Sequence, residues 1–298
     1  MFRECSPVAG DAPSSLASRP ERPRHPADDA TSYPSNVPHS PSVFGMTDVG
    51  KSRTRNEDSW SLVPGLGVAV VADGMGGHPG GDVASRIAAD TAAGVLGEEL
   101  GDKARPGDPS PERLSAAMRR SVQRAHEEIR ARAEREPELD GMGTTLTALA
   151  VDPASDLFVL GNVGDSRAYR FRAGELTRLT RDDTWVQERV DAKQLTLEQA
   201  RRHPFAHLLT QCLGLEDAPK PRITEGTVQV GDAYLLCTDG LVGMIDDDEI
   251  ARILTEKLSR NGAGAAEPAL KALLAAANAA GGHDNITAVL ITITTAGD

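Results

Sequence analysis

Cysteine is scarce. Three in 298 residues (Cys5, Cys212 and Cys237), odd in number and without paired spacing, exclude a disulfide framework and a zinc knuckle. A reducing compartment, the cytoplasm, is the expected setting. Cys237, inside an apolar run, reads as a small core residue. Positive charge is also short: 32 Lys and Arg face 44 Asp and Glu, for a net charge of −12. A nucleic-acid binder would carry a basic stripe, so no nucleic-acid partner is expected. No apolar run approaches the ~20 residues of a membrane helix, and the N-terminus lacks the apolar segment of a secretory signal. No membrane span is expected, and a monomer is the expected state.

Apolar periodicity is missing from residues 1–42. That stretch holds eight of the 19 prolines (Pro7, Pro13, Pro20, Pro23, Pro26, Pro34, Pro38 and Pro41) among Ser, Asp and Arg. It cannot bury enough surface to offset its ordering entropy and reads as a disordered tail.

From residue 43 onward, strand and helix patterns alternate in what reads as one domain, 43–298. Strands are expected at 43–48, 59–63, 66–72, 143–151, 156–163, 166–172, 222–229, 232–238 and 285–294. Helices are expected at 81–99, 111–135, 247–258 and 266–279. In the second helix Leu114, Met118, Val122, Ala125 and Ile129 share one face, as on a helix lying against a sheet. Short links from 143–151 through 166–172, and from 222–229 to 232–238, predict antiparallel neighbours. Runs of strands followed by helix pairs favour an α+β sandwich with helices outside over a doubly wound fold. The polar stretch 180–220 reads as a flap or insert.

The most informative run is VAVVADGMGG, Val68 to Gly77. A buried strand ends on Asp73, with glycine at 74, 76, 77 and 80, so a rigid carboxylate stands beside backbone that a ligand can approach. Asp165 in NVGDSRAYR and Asp239 in YLLCTDGL likewise end apolar runs, Glu57 and Asp58 are adjacent in TDVGKSRTRNEDS, and Asp284 in GGHDNIT stands just ahead of the closing strand. One Asp-Gly is an ordinary turn. Several acids in matching settings read as the walls of one oxygen-lined metal site.

Other patterns mislead. Gly45 to Ser52 matches the phosphate-loop pattern G-x-x-x-x-G-K-[ST], and Asp73 could play the magnesium acid of a nucleotide triphosphatase. However, no helical period follows Lys51, and Pro64 comes soon after. The glycines after Asp73 fail a dinucleotide loop, because Pro79 takes the last glycine position. His203 and His207 are four apart, but Pro204 intervenes and no Glu follows His203, so they read as flap-surface histidines rather than a zinc pair.

In order and spacing, TDVGKSRTRNEDS, VADGMGGHPGG, GMGTTLTAL, NVGDSRAYR, DDTWVQ, CTDGL and GGHDNIT resemble the metal-dependent protein phosphatases, type 2C, in their bacterial form. The resemblance covers about 45 to 294. It implies a four-layer α-β-β-α sandwich of two mostly antiparallel sheets, with two Mn2+ or Mg2+ ions at one end and a third, weaker site. Asp73 would bridge two ions, Asp239 and Asp284 would complete one, and Glu57 with the Gly74 carbonyl would face the other. Asp58 would hold metal-bound water, and Asp165 with Asp239 matches the acids of the third site. Arg53 would grip the substrate phosphate, and Ser166 and Arg167 would be supporting or flap contacts. Two such ions give a bridging hydroxide at neutral pH that attacks phosphorus in line, while Arg53 and the metals neutralise oxygen charge. The implied activity is hydrolysis of phosphoserine and phosphothreonine in proteins, opposing bacterial Ser/Thr kinases, with the kinases themselves among candidate partners in signal transduction.

Many eukaryotic relatives read DGHGG, whose histidine can protonate the leaving group. Here that position is Met75, which leaves His78 as the candidate proton donor or as a residue that orders water. His283, beside Asp284, reads as a surface turn. A non-catalytic phosphoprotein-binding sensor is the alternative of a different class. It would lack a bridging acid, whereas Asp73, Asp239 and Asp284 are all present.

Overall fold

The computed structural model describes residues 39–75, 80–101, 111–152, 156–261 and 264–295. The Pro-rich segment up to residue 38 and His78 lie outside the described residues.

Among the described residues, ten strands form two five-stranded antiparallel sheets. The first contains β1 (His39–Asp48), β6 (Arg167–Arg172), β7 (Glu175–Arg178), β9 (Ala233–Cys237) and β10 (Ile286–Thr295), in the order β1-β10-β9-β6-β7. The second contains β2 (Asp58–Val63), β3 (Val68–Asp73), β4 (Leu146–Asp152), β5 (Leu157–Val163) and β8 (Arg222–Thr227), in the order β2-β3-β4-β5-β8. Helices α1 (Gly81–Gly101) and α2 (Pro111–Arg135) cover the second sheet. Helices α6 (Asp247–Asn261) and α7 (Ala266–Ala279) cover the first. The two sheets close on each other over Leu149, Leu160, Tyr234, Leu236, Val289 and Ile291. This is the expected four-layer α-β-β-α sandwich of the α+β class.

The helices follow from their apolar faces. In α2, Leu114, Met118, Val122, Ala125 and Ile129 are all buried, as the spacing predicts. Burying a large aliphatic side chain contributes about 1.5–3 kcal/mol, so this face holds α2 on the sheet. In α1 the buried face is mostly alanine, Ala84, Ala88, Ala89, Ala92 and Ala93, with Leu96. Val83 and Ile87 pack half-buried at its edge. Small side chains let this helix lie close to β2 and β3.

Four local expectations need correction. β1 begins at His39, not 43. Pro41 is accommodated because β1 is an edge strand, where a missing N–H can face away from the ladder. The short links after β5 and β8 cross between sheets instead of joining neighbours in one sheet. Gly164 (φ 96°) and Gly231 (φ 90°) make those corners in backbone that other residues avoid. The stretch 180–220 contains two short helices, α3 (Trp185–Asp191) and α4 (Leu197–Arg201), capped by Thr184 and Thr196. A further short helix, α5 (Asp239–Val242), follows β9. As expected, Gly45–Ser52 is strand and turn rather than loop and helix, so the phosphate-loop pattern is coincidental.

Candidate metal centre

Strand direction brings the acids together. In β3, Ala69 and Val71 point between the sheets, so alternation sends Asp73 to that face at the strand end. Asp58, at the start of β2, is its cross-strand partner. β3 and β5 are both antiparallel to β4 and therefore run in the same direction. Asp165, just past β5, reaches the same end of the sandwich. Asp239 follows β9 and Asp284 precedes β10, and these two strands are antiparallel. A hydrogen bond from Thr238 Oγ1 to Asp58 Oδ2 (2.8 Å) ties the two sheets at this end.

The bridge candidate Asp73 is fixed through its main chain. Its N–H donates to Thr145 Oγ1 (3.0 Å). Its carbonyl accepts from the Thr145 N–H (2.9 Å) and from Thr144 Oγ1 (2.8 Å). Thr145 Oγ1 in turn pairs with Ser166 Oγ at 2.8 Å. Ser166 is fully buried. The Gly74 N–H donates to the Glu57 carbonyl (3.1 Å). A Cβ on Gly74 would lie 2.2 Å from the Gly81 carbonyl oxygen and 2.7 Å from that of Glu57, so no larger residue fits.

The electrostatics are those of crowded, desolvated carboxylates. Burial, then the charges of Asp58, Asp239, Asp165 and Asp284, hold the Asp73 carboxyl well above the usual range. Asp58 is raised by burial, against hydrogen bonds from Thr287 and Thr238. Asp165 is pushed up to about 8 by burial and then by Asp239 and Asp182. Glu57 is raised by burial, partly offset by Arg53. Arg53 Nη2 donates to Asp284 Oδ2 (2.8 Å), and His207 Nδ1 lies 3.5 Å from Asp239 Oδ2.

Among the described residues, no three His, Cys, Asp or Glu side chains form a ready-made cage for an ion. Asp284 and Asp239 are turned toward Arg53 and His207. The donor set nevertheless fits hard divalent cations, because every acid offers oxygen and their repulsion is what a dication relieves.

The other candidates separate clearly. Arg167 is committed to Asp182 (Nε–Oδ1 3.2 Å, Nη2–Oδ2 2.9 Å), which lies in the 180–220 stretch. His203 packs against Trp185 and Phe205, with ring centroids 5.1 and 5.5 Å away, and its Nδ1 accepts the Phe205 N–H. His207 instead reaches Asp239. The two histidines share no site, which removes the zinc pair, and His207, with its side chain 83% exposed, is a surface histidine as expected, lying beside Asp239. His283 is exposed, as expected. The sequence reading missed the place of His207 beside Asp239, the Thr144–Thr145 clamp, Thr238 and Asn285. Only the threonines had a signal: hydroxyls directly beside the acid motifs.

Comparison with known proteins agrees with this architecture. The chain belongs to the protein phosphatase 2C family, which it matches over residues 50–275. It is 38% identical over 245 residues to serine/threonine protein phosphatase PstP of Mycobacterium tuberculosis, covering 82% of this chain and 43% of that protein. The chain thus spans less than half of that relative's length. It is 34% identical over 248 residues to serine/threonine phosphatase stp of Listeria monocytogenes, covering 82% of this chain and 93% of that one. The crystal structure of the PstP catalytic domain in complex with two manganese ions superposes with a TM-score of 0.69 at 34% identity, covering 86% of this chain and 99% of that one.

Proposed function

We propose that this chain is a metal-dependent phosphatase of phosphoserine and phosphothreonine in proteins. The observation that carries the reading is the meeting of Glu57, Asp58, Asp73, Asp165, Asp239 and Asp284 at one end of the sandwich, beside Arg53. In this reading Asp73, Asp239 and Asp284 would hold one Mn2+ or Mg2+ ion. Asp73, Glu57 and the Gly74 carbonyl would hold the second, and Asp165 with Asp239 a third, weaker one. When bound, such cations supply an activated water nucleophile and neutralise phosphoryl charge. Asp58, fixed by Thr238, orders a water. Arg53 offers a guanidinium fork to the phosphate oxygens, and His78 gives a proton to the departing seryl or threonyl oxygen. Residues 43–298 would form the catalytic domain, with 180–220 as a flap whose His207 meets the site.

The setting is the cytoplasm, supported by the buried free thiols of Cys212 and Cys237. Among the described residues no helix is long and apolar enough to cross a membrane. The partners would be phosphorylated proteins, Ser/Thr kinases among them, and the working unit a monomer. The test is phosphate release from phosphoserine and phosphothreonine peptides and from ATP, with Mn2+ and with EDTA. Peptide hydrolysis that requires Mn2+ is expected. ATP hydrolysis alone, abolished by Lys51→Ala, would contradict the reading, and phosphopeptide binding without turnover would make the chain a sensor.

A further inference from the structure

Asn285 stands beside Asp284 at the start of β10 and is 4% exposed. Every hydrogen-bonding atom of its amide is used, and every partner lies on one segment, 49–57. Its Oδ1 accepts the Glu57 N–H at 2.8 Å. Its Nδ2 donates to the Val49 carbonyl (2.9 Å) and to the Arg55 carbonyl (2.9 Å). The Glu57 donor fixes which end of the amide is oxygen. The main chain of Asn285 contributes as well, with its N–H donating to Asp284 Oδ1 at 2.8 Å.

The segment so held carries both Arg53 and Glu57. It is also pressed against the Asp284 strand end from the other side. A Cβ on Gly50 would lie 2.1 Å from the Asp284 carbonyl oxygen, and the Lys51 N–H donates to the Gly282 carbonyl at 2.7 Å. A Cβ on Gly240, next to Asp239, would lie 1.9 Å from the Asn285 carbonyl oxygen. One residue therefore joins the segment of Arg53 and Glu57, the turn of Asp239 and the carboxylate of Asp284.

We propose that Asn285 is the positioning residue that sets Arg53 and Glu57 at fixed spacing from Asp284 and Asp239. It governs both cation affinity and the grip on the substrate phosphate, without touching either ligand. No other side chain of this length offers one acceptor and two donors at once. Asp at this position keeps the acceptor, loses both donors and turns an anion toward the Val49 and Arg55 carbonyls. The inference rests on the phosphatase reading of the site, so its test includes readouts that need no turnover.

The experiment compares the full chain with Asn285→Asp and Asn285→Ala. Mn2+ affinity is read by titration calorimetry, and KM and kcat on a phosphothreonine peptide at saturating Mn2+. Residues that orient metal ligands typically matter about 10- to 100-fold. Both variants are expected to lose Mn2+ affinity and raise KM on that scale, with a smaller change in kcat. A second measurement uses the unaltered protein in EDTA: the Glu57 amide should exchange its hydrogen far more slowly than an exposed loop amide. Variants that keep Mn2+ affinity and KM within about two-fold would overturn the proposal, as would unprotected exchange at Glu57 should the variants fail to fold. If the unaltered chain neither binds Mn2+ nor hydrolyses the peptide, the phosphatase reading itself fails, a result separate from these.

Discussion

Arg53 and Asp284, 231 positions apart in the chain, are joined by a 2.8 Å hydrogen bond from Nη2 to Oδ2. The guanidinium is 44% exposed and the carboxylate 36%, so solvent screens the pair and it contributes little to stability. Its interest is positional. In the proposed reading, the cation that would read phosphate waits against an acid that would read metal.

Replacing Arg53 therefore tests phosphate recognition more than folding. A charge-assisted hydrogen bond contributes about 1.5–3 kcal/mol, or roughly 10- to 100-fold in affinity. Arg53→Ala is expected to raise KM for a phosphothreonine peptide by that factor with an unchanged melting temperature. Arg53→Lys should recover only part of the loss, because an ammonium cannot present the planar fork. Steady-state kinetics of the two variants checks both statements.

The acids make the chelated protein sensitive to pH. A carboxyl whose folded pKa is raised contributes stability below its unfolded value, and loses that contribution as pH rises through its folded value. Asp165 moves from 3.8 to about 8, through burial and then Asp239 and Asp182, and Asp58 and Asp73 move the same way. In EDTA, Tm is therefore expected to fall as pH rises from 4 toward 8. Excess Mn2+ at the upper end should reverse most of that fall, because the charged acids gain a counter-ion. Scanning calorimetry with and without Mn2+ reads both effects, and a Tm in EDTA that rises over this range would count against the crowded acids.

Gly74→Ala tests the close fit at the end of β3. The added Cβ, 2.2 Å from the Gly81 carbonyl oxygen, meets backbone rather than a movable side chain. The Gly74–Glu57 contact has to open. Circular dichroism should show a folded protein, while Mn2+ affinity drops by about 10-fold or more.

Away from the site, Asp232 is a heavily bonded buried anchor. Its carboxylate is 1% exposed and takes both Nε and Nη2 of Arg172 at 2.6 Å. It also accepts the Gln229 N–H (2.9 Å) and the Tyr234 hydroxyl (3.0 Å). Asp232→Ala takes the shared acceptor from these donors, leaving Arg172 its bond to the Thr227 carbonyl, and should destabilise the fold by about 3 kcal/mol. Urea unfolding should register that loss without a change in Mn2+ affinity.

Much of the fold was legible because its periods are clean. The α2 face from Leu114 to Ile129 and the apolar runs of β3, β5 and β9 carry their own assignments. The crossings after β5 and β8 were not legible: a short link looks the same whether the chain returns within a sheet or steps to the next one. The short helices α3 and α4 depend on caps by Thr184 and Thr196 and have too few residues to show a period. Asp73, Asp165 and Asp239 stood out because each ends an apolar run close to a glycine. His207 and Asn285 did not, since their roles come from partners far away in the chain: Asp239 for one, and the segment 49–57 for the other.

The most direct test of the metal account is Mn2+-dependent turnover of a phosphothreonine peptide by the unaltered chain and by Asp73→Asn, which is nearly isosteric and removes the bridging charge. The account predicts activity that EDTA abolishes and Mn2+ restores, and a loss in Asp73→Asn of about 10²-fold or more. Full activity of Asp73→Asn, or activity of the unaltered chain that persists in EDTA, would contradict it.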